Sequence, residues 1–341
     1  MSWFEELFIN EAKPALNRHS GSSSSGGGDE VLNSVIDRSV TEIKLSDATH
    51  IGNHAFNGCS NLTTVECPNV ITIGDEAFGG CSNLASINFP KLKTLGYRSI
   101  ASTKLEELIL PDGIEKINRG FETCSPLKRV VIPESVTTVG EGCWKNSQAK
   151  TVGPIGSGCD FEFGWKTKLP SGCFDGLKSE SIILPEGIEE IGAYCFRGSL
   201  CSEINLPSTL RKMDCAVFAD LGKITEITIP ENITMKSHTG DFCIRCYSLK
   251  KFTLLAPGVG IHTRAFENCN ALETVILASD TQVSLAQTGS FKNTPIANGT
   301  GYIYVPSALV DSYKSATNWS TFASQIRAIE DYPEICGEVS A

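Results

Sequence analysis

Cys243 and Cys246 are the one pair in this chain whose spacing invites metal or redox chemistry. A C-x-x-C pair supplies half of a tetrahedral zinc site, which needs four ligands and usually a second pair at similar spacing. No second pair occurs, so core packing is the stronger reading of these thiols. The histidines His19, His50, His54, His238 and His262 form neither H-x-H nor H-E-x-x-H. His54 and His262 fall at variable positions, as solvated residues do. A nucleophile elbow, a Walker loop and a dinucleotide fingerprint are all missing from the sequence. The 39 Asp and Glu residues are dispersed. Two of them could meet across strands stacked about 4.8 Å apart, but no cleft signal gathers a pair for acid–base work. These residues predict a non-enzymatic protein with no catalytic residues, no metal and no cofactor, the alternative being an enzyme with a site grafted on its scaffold.

The totals narrow the class further. A net charge of −10 argues against DNA or RNA as the main partner, because phosphate binding needs clustered Lys and Arg. The longest apolar runs are strand-sized, so no membrane-spanning helix is expected. Met1–Leu7 carries no basic stretch, long apolar run or cleavage site of a secretion signal. Fourteen cysteines in 341 residues would suggest disulfides in a small secreted chain; here free thiols are expected.

The elements that must position any functional residue are set by a repeat. Ile51-Gly52, Ile73-Gly74, Leu95-Gly96, Ile117-Asn118 and Val139-Gly140 are spaced 22 apart, and the period returns at Ile191-Gly192 and Met213-Asp214. The fullest unit, Ile73 to Pro90, reads I-G-x-x-A-F-x-x-C-x-x-L-x-x-[VI]-x-x-P. Its phenylalanine slot recurs at Phe56, Phe78, Phe121, Phe174, Phe196, Phe218, Phe266 and Phe291. In Leu84-x-x-Ile87-x-Phe89 the apolar residues face inward and the last three alternate as a strand does. Pro90 then stops the strand. Glycine after isoleucine is read as permitting a sharp corner. One unit cannot bury these side chains alone; stacked units can, with strands pairing between coils. The predicted fold is mainly β: a right-handed leucine-rich-repeat solenoid of 22-residue coils, with a short N-terminal helix and a C-terminal α/β cap.

The thiols fit this scheme. Cys59, Cys81, Cys124, Cys246 and Cys269 fill the cysteine slot. Cys143, Cys173 and Cys195 replace the alanine, Cys67 takes an inward strand position, and Cys243 falls in the phenylalanine slot. At such places cysteine is a compact hydrophobe.

Four regions follow. Residues 1–19 are expected to be a helical anchor peptide whose apolar group is Trp3, Phe4, Leu7 and Phe8, the alternative being a disordered tail. Residues 20–30 are a Ser/Gly-rich linker. Residues 31–300 form the solenoid, with register lost over 147–170 and slipping again near 235–241. The 147–170 segment is a degenerate coil or a protruding loop; its Phe161, Phe163 and Trp165 either pack inward or offer a contact surface. Residues 301–341 are the cap, with Ser307 a candidate N-cap for a helix from Ala308 to about Ala316.

The remaining candidate for function is the outward face of the first strand of each coil. Its rows are Thr64 and Glu66, Ser86 and Asn88, Glu107 and Ile109, Arg129 and Val131, Glu203 and Asn205, Glu226 and Thr228, Lys251 and Thr253, and Thr274 and Ile276. The binding candidates are Glu66, Asn88, Glu107, Ile109, Arg129, Val131, Asn205, Thr228, Thr253 and Ile276. Ile109, Val131 and Ile276 are apolar where water is expected, which marks contact sites.

The pattern Ile-Gly-x-x-Ala-Phe-x-x-Cys-x-x-Leu-x-x-Val-x-x-Pro resembles the BspA-like (Treponema pallidum type) leucine-rich-repeat family. The resemblance runs over roughly residues 41 to 330 and includes the ending Tyr302-Ile303-Tyr304-Val305-Pro306 through Tyr313 and Trp319. It implies a binding module, since family members include bacterial surface adhesins that bind matrix proteins or other cells. The N-terminal arrangement, with Val35-Ile36-Asp37-Arg38-Ser39-Val40-Thr41-Glu42-Ile43 leading into the repeats, is similar to phage- and prophage-encoded members. That similarity implies a protein or glycan ligand on a host cell, attachment to a larger virion assembly through residues 1–19, and location on a virion; the alternative is the cell surface.

Overall fold

The computed structural model describes residues 16–19, 31–35, 38–121, 126–145, 147–235 and 242–336. It divides into two compact units, residues 1–165 with 173–178, and residues 166–172 with 179–341.

In the first unit each coil contributes two short strands. The strands that follow the corner lie side by side in the order Leu16–His19, Val31–Val35, His50–Ile51, Thr72–Ile73, Thr94–Leu95, Lys116–Ile117 and Thr138–Val139. From His50 onward every pairing is parallel and offset by 22 residues, as in Ile73 beside Leu95. Strands from the other side of the coil pair in the same register, Glu42–Lys44 with Thr64–Glu66 and then Ser86–Asn88. The period is therefore the length of one coil. The helix expected over residues 1 to about 19 is not continued at its end: Leu16–His19 is a strand, antiparallel to Val31–Val35. Residues 1–15, with Trp3, Phe4, Leu7 and Phe8, and residues 20–30 lie outside the described residues.

The interior is built as the repeat demands. Phe56, Phe78, Phe121, Phe174, Phe196, Phe218, Phe266 and Phe291 are all buried. Phe56 stacks on Phe78 with ring centroids 5.0 Å apart, and in the second unit Phe266 stacks on Phe291 at 5.4 Å. Each buried ring contributes about 1.5–3 kcal/mol through removal from water, and offset stacks add to it.

The repeat glycines have a different cause from the one inferred. Gly74, Gly96 and Gly192 carry no positive φ. A Cβ at Gly96 would lie 2.6 Å from the backbone N of Asp75, and one at Gly192 would lie 2.4 Å from that of Ser171. Glycine is needed because the backbone of the preceding coil passes too close for any side chain. The side chain one residue further on serves the corner too: the backbone N–H of Tyr97 donates to the carboxylate of Asp75 at 2.6 Å, and that of Asp75 donates to Asn53 at 2.8 Å.

The irregular segment 147–170 holds three strands, of which Lys168–Leu169 belongs to the second unit. Thr151–Pro154 and Phe161–Phe163 run parallel, and the later one sits between the earlier one and Arg129–Ile132. Phe161, Phe163 and Trp165 all point inward and are buried, joining Trp144 and Phe174 in an aromatic cluster. Trp165 donates through Nε1 to the carbonyl of Val136 at 2.7 Å. The inward packing of these three rings is what the structure bears out. What the segment presents outward is the turn after Pro154, with Ile155 exposed.

In the second unit one parallel set runs Lys168–Leu169, Glu190–Ile191, Lys212–Met213, Thr234–Met235. The other runs Glu226–Ile229, Lys251–Leu254, Thr274–Leu277, Tyr302–Val305, Ile326–Ala328. The last two strands belong to the C-terminal cap. Trp319 and Phe322 close over Phe291, while Tyr313 accepts a 2.7 Å bond from the Val283 N–H and Trp319 Nε1 donates 2.7 Å to the Val283 carbonyl. Ser307 is not the N-cap inferred for the helix. It begins a 3₁₀ turn, Ser307–Leu309, before the helix Val310–Ser315. Its N–H and hydroxyl bind the Glu330 carboxylate instead.

Candidate ligand-binding faces

The outward residues of the first strands divide into three groups. In the first unit Glu66, Asn88, Glu107, Ile109 and Arg129 are exposed and Val131 is half-buried. The parallel register sets Glu107 beside Arg129 and Ile109 beside Val131. Lys44 pairs with Glu66 at 3.7 Å, and Arg129 pairs with Glu107 and, at 3.8 Å, with Glu162. Ile109, 58 % exposed, is the most exposed of the large apolar side chains in the described residues. It sits on a fixed strand, where an apolar group in water gains nothing from folding.

Glu162, beside Arg129 on this face, has a structural role. It is buried, and it accepts the N–H of Gly156 at 3.0 Å and of Gly158 at 2.9 Å. It holds the turn that carries Ile155.

Thr253 and Ile276 do not belong to an open face. Thr253 is 3 % and Ile276 0 % exposed. The C-terminal segment folds back over the outward side of the last strands: Ile276 packs with Tyr304 and Ile329, against Tyr332 and Ile335. Lys251 Nζ donates 2.9 Å to the carbonyl of Ile335. The outward apolar character of Ile276 therefore answers an intramolecular cover. Sequence reading missed this because the covering residues lie some fifty positions further on, beyond the repeat.

Asn205 and Thr228, in contrast, line one groove of about 560 Å³ in the second unit, with Glu203, Ile204, Leu206, Glu226, Pro230 and Leu255 among its walls. The volume is that of a ligand cleft, about 300–1,000 Å³. The groove exists because Ser202–Leu206 forms no strand; no backbone hydrogen bond joins it to Glu226–Ile229 among the described residues. The arc from Phe196 to Ile204 spans eight residues, against nine from Phe218 to Ile227.

The thiols sit indoors. The side chains of twelve cysteines are described and none of these is in a disulfide; all but Cys215 are buried. The cysteine slot has a role that spacing did not reveal. Sγ of Cys81 donates to the carbonyl of Phe56 at 3.1 Å, Cys246 to that of Phe218 at 2.8 Å, and Cys269 to that of Cys243 at 2.8 Å. Each thiol donates to a buried carbonyl of the preceding coil, so in these coils cysteine acts as a small donor as well as a small hydrophobe, while Leu177 and Leu221 fill the slot by packing alone. Burial pushes the Cys67 and Cys81 thiols up to about 12, and it also raises Cys243. Among the described residues no group of three or more His, Cys, Asp or Glu is placed to hold a metal ion.

Stacked parallel coils with buried ring and thiol columns and solvated strand faces define the class as a leucine-rich-repeat solenoid. The family model described as BspA type leucine-rich repeat region matches residues 38–157 and 167–297, and the chain belongs to that family. A leucine-rich repeat protein from Bacteroides ovatus is 18 % identical with a TM-score of 0.55, over 92 % of this chain and 98 % of that one. One from Eubacterium ventriosum is 22 % identical with a TM-score of 0.56, over 81 % and 77 %. The pneumococcal vaccine antigen PcpA is 18 % identical with a TM-score of 0.50, over 84 % and 77 %. These likenesses are of fold. No curated protein matches the chain.

Proposed function

We propose that this chain is a non-enzymatic binding module that recognises a protein or glycan on a host cell through its outward strand faces. The observation that carries the reading is Ile109: a large apolar side chain held 58 % exposed on a rigid strand, with Val131 beside it and charged Glu107 and Arg129 alongside. An apolar centre with a polar rim is how recognition surfaces are composed. Parallel coils fix these side chains at one-strand spacing, so the surface is pre-organised and loses little entropy on binding.

Attachment, in this reading, is through residues 1–19, with Trp3, Phe4, Leu7 and Phe8 inserted into a larger virion assembly and the Ser/Gly segment as tether. The support is the composition of those residues: paired aromatics at a chain end followed by a flexible stretch. The second reading places the same module on a bacterial cell surface, as the family resemblance implies.

The test of recognition is binding of the purified protein to a glycan array and a panel of host surface glycoproteins. Ile109→Asp with Val131→Asp is expected to weaken capture at least tenfold with the melting temperature unchanged. Capture unaltered by that pair rejects the face. Attachment is tested by deleting residues 1–28: loss from purified phage particles with the repeats still folded supports the virion, and retention on particles, or a native location on cells with no particle association, rejects it.

A further inference from the structure

The groove beside Glu226–Ile229 has three properties that together specify an occupant. First, Glu226–Ile229 is an edge. It pairs with Lys251–Leu254 on one side only. On the other side lies Ser202–Leu206, which makes no ladder with it. A parallel strand directs alternate backbone groups to either side, so the groove side of Glu226–Ile229 offers donors and acceptors that only an extended polypeptide matches in spacing. Unprotected edges of this kind recruit strands.

Second, the groove is negative and uncompensated. On the outward faces of the first unit Glu66 has Lys44, and Glu107 has Arg129. Glu203 and Glu226 both line the groove, are exposed, and have no ion-pair partner among the described residues. Lys251, the cation of the adjacent strand, is turned to the carbonyl of Ile335.

Third, the groove contains apolar positions left half-covered. Ile204 and Leu206 occupy strand positions that are buried in nearly every other coil, yet here both are only half-buried. The stretch Glu203-Ile204-Asn205-Leu206-Pro207 repeats the pattern of Ser86-Ile87-Asn88-Phe89-Pro90, whose Ser86–Asn88 is a paired strand. The wall facing the free edge is thus itself able to pair.

We propose that this groove docks an extended polypeptide segment bearing a lysine or arginine, which pairs with the free edge of Glu226–Ile229 and seats its cation between Glu203 and Glu226. The inference rests on the binding reading above and supplies a ligand class for one of its surfaces. A glycan would use the carboxylates and Asn205 but not the regular backbone edge, which is why a polypeptide is favoured.

The probe is the acetylated, amidated hexapeptide Thr-Val-Lys-Val-Thr-Val, compared with the same peptide carrying Glu for Lys and with a version N-methylated at alternate amides, all titrated against the full chain. The lysyl peptide is expected to bind at least tenfold more tightly than either control. It should slow amide exchange at Glu226–Ile229, and it should weaken at least tenfold in Glu203→Gln with Glu226→Gln, a pair of exposed changes that leaves the fold intact. Thr228→Arg, which places a resident cation in the groove, should compete with it and weaken binding too. Equal binding of lysyl and glutamyl peptides, protection elsewhere in the chain, tolerance of N-methylation, or no binding each overturn the proposal. Preference for an oligosaccharide over the peptide at the same residues overturns it in favour of a glycan site. The two readings fail separately. If the Ile109 and Val131 changes abolish host capture while the peptide is ignored, the groove inference alone falls. If the peptide docks and those changes alter nothing, the groove stands without the broader face.

Discussion

Three residue types carry the fold locally, and each makes its own prediction. Gly96 is required by the approach of the preceding coil, since its Cβ would meet the Asp75 backbone at 2.6 Å. Backbone cannot yield as a flexible side chain does. Gly96→Ala should destabilise by about 1–3 kcal/mol, read as a lowered unfolding midpoint; an unchanged midpoint would show that the coils separate freely. The buried thiols are held protonated. Cys67 and Cys81 are raised from about 9 when unfolded to about 12 when folded. The folded form therefore holds protons that the unfolded form releases, so stability is undiminished below pH ~9 and falls as pH rises from ~9 toward ~12. Melting temperatures at pH 7 and pH 10.5 measure this, and a higher value at pH 10.5 would contradict it. For the same reason an Ellman's-type reagent at pH 8 should titrate Cys215 before the eleven buried thiols, which react only on unfolding.

At the scale of one element, the coil, much was legible in the order of residues. The phenylalanine slot, the proline stop and the 22-residue offset each describe one repeat, and local pattern suffices to read them. Phe78→Ala should cost about 3–5 kcal/mol, because the ring stacks on Phe56 and its loss leaves a void that neighbouring coils cannot fill. Denaturant unfolding measures it; a loss below 1 kcal/mol would mean the ring column is not the core. What local pattern could not supply was any contact between coils or from beyond the repeat. The cysteine slot looked like packing, but its hydrogen bond runs to a carbonyl 25 residues earlier. Thr253 and Ile276 had the alternation of an open face, but both are buried, and the residues packed on Ile276 include Ile329, Tyr332 and Ile335 from beyond the array. The groove was equally invisible, since Glu203 to Pro207 has the residues of a paired strand and only the three-dimensional register shows that it is not paired.

At the scale of the molecule, a stack of coils exposes its ring column wherever it ends. The C-terminal end is closed by Trp319 and Phe322 over Phe291. Truncation after residue 300 should expose that ring and lower solubility and unfolding cooperativity, measured by light scattering during thermal unfolding; a soluble, cooperatively melting truncation would show that the array caps itself. The charge of −10 belongs to this scale as well. Among the described residues Glu203 and Glu226 add two exposed carboxylates without ion pairs to the groove of the second unit.

In the function proposed above, recognition belongs to the outward strand faces while the rings and thiols inside hold those faces in register. Its most direct test is capture of the host-cell ligand by a matched pair of proteins, one with Ile109→Asp and Val131→Asp and one with Tyr97→Asp and Tyr194→Asp at exposed corner positions. The account predicts at least a tenfold loss for the strand-face protein and none for the corner protein, at equal melting temperatures. Loss confined to the corner protein would contradict it.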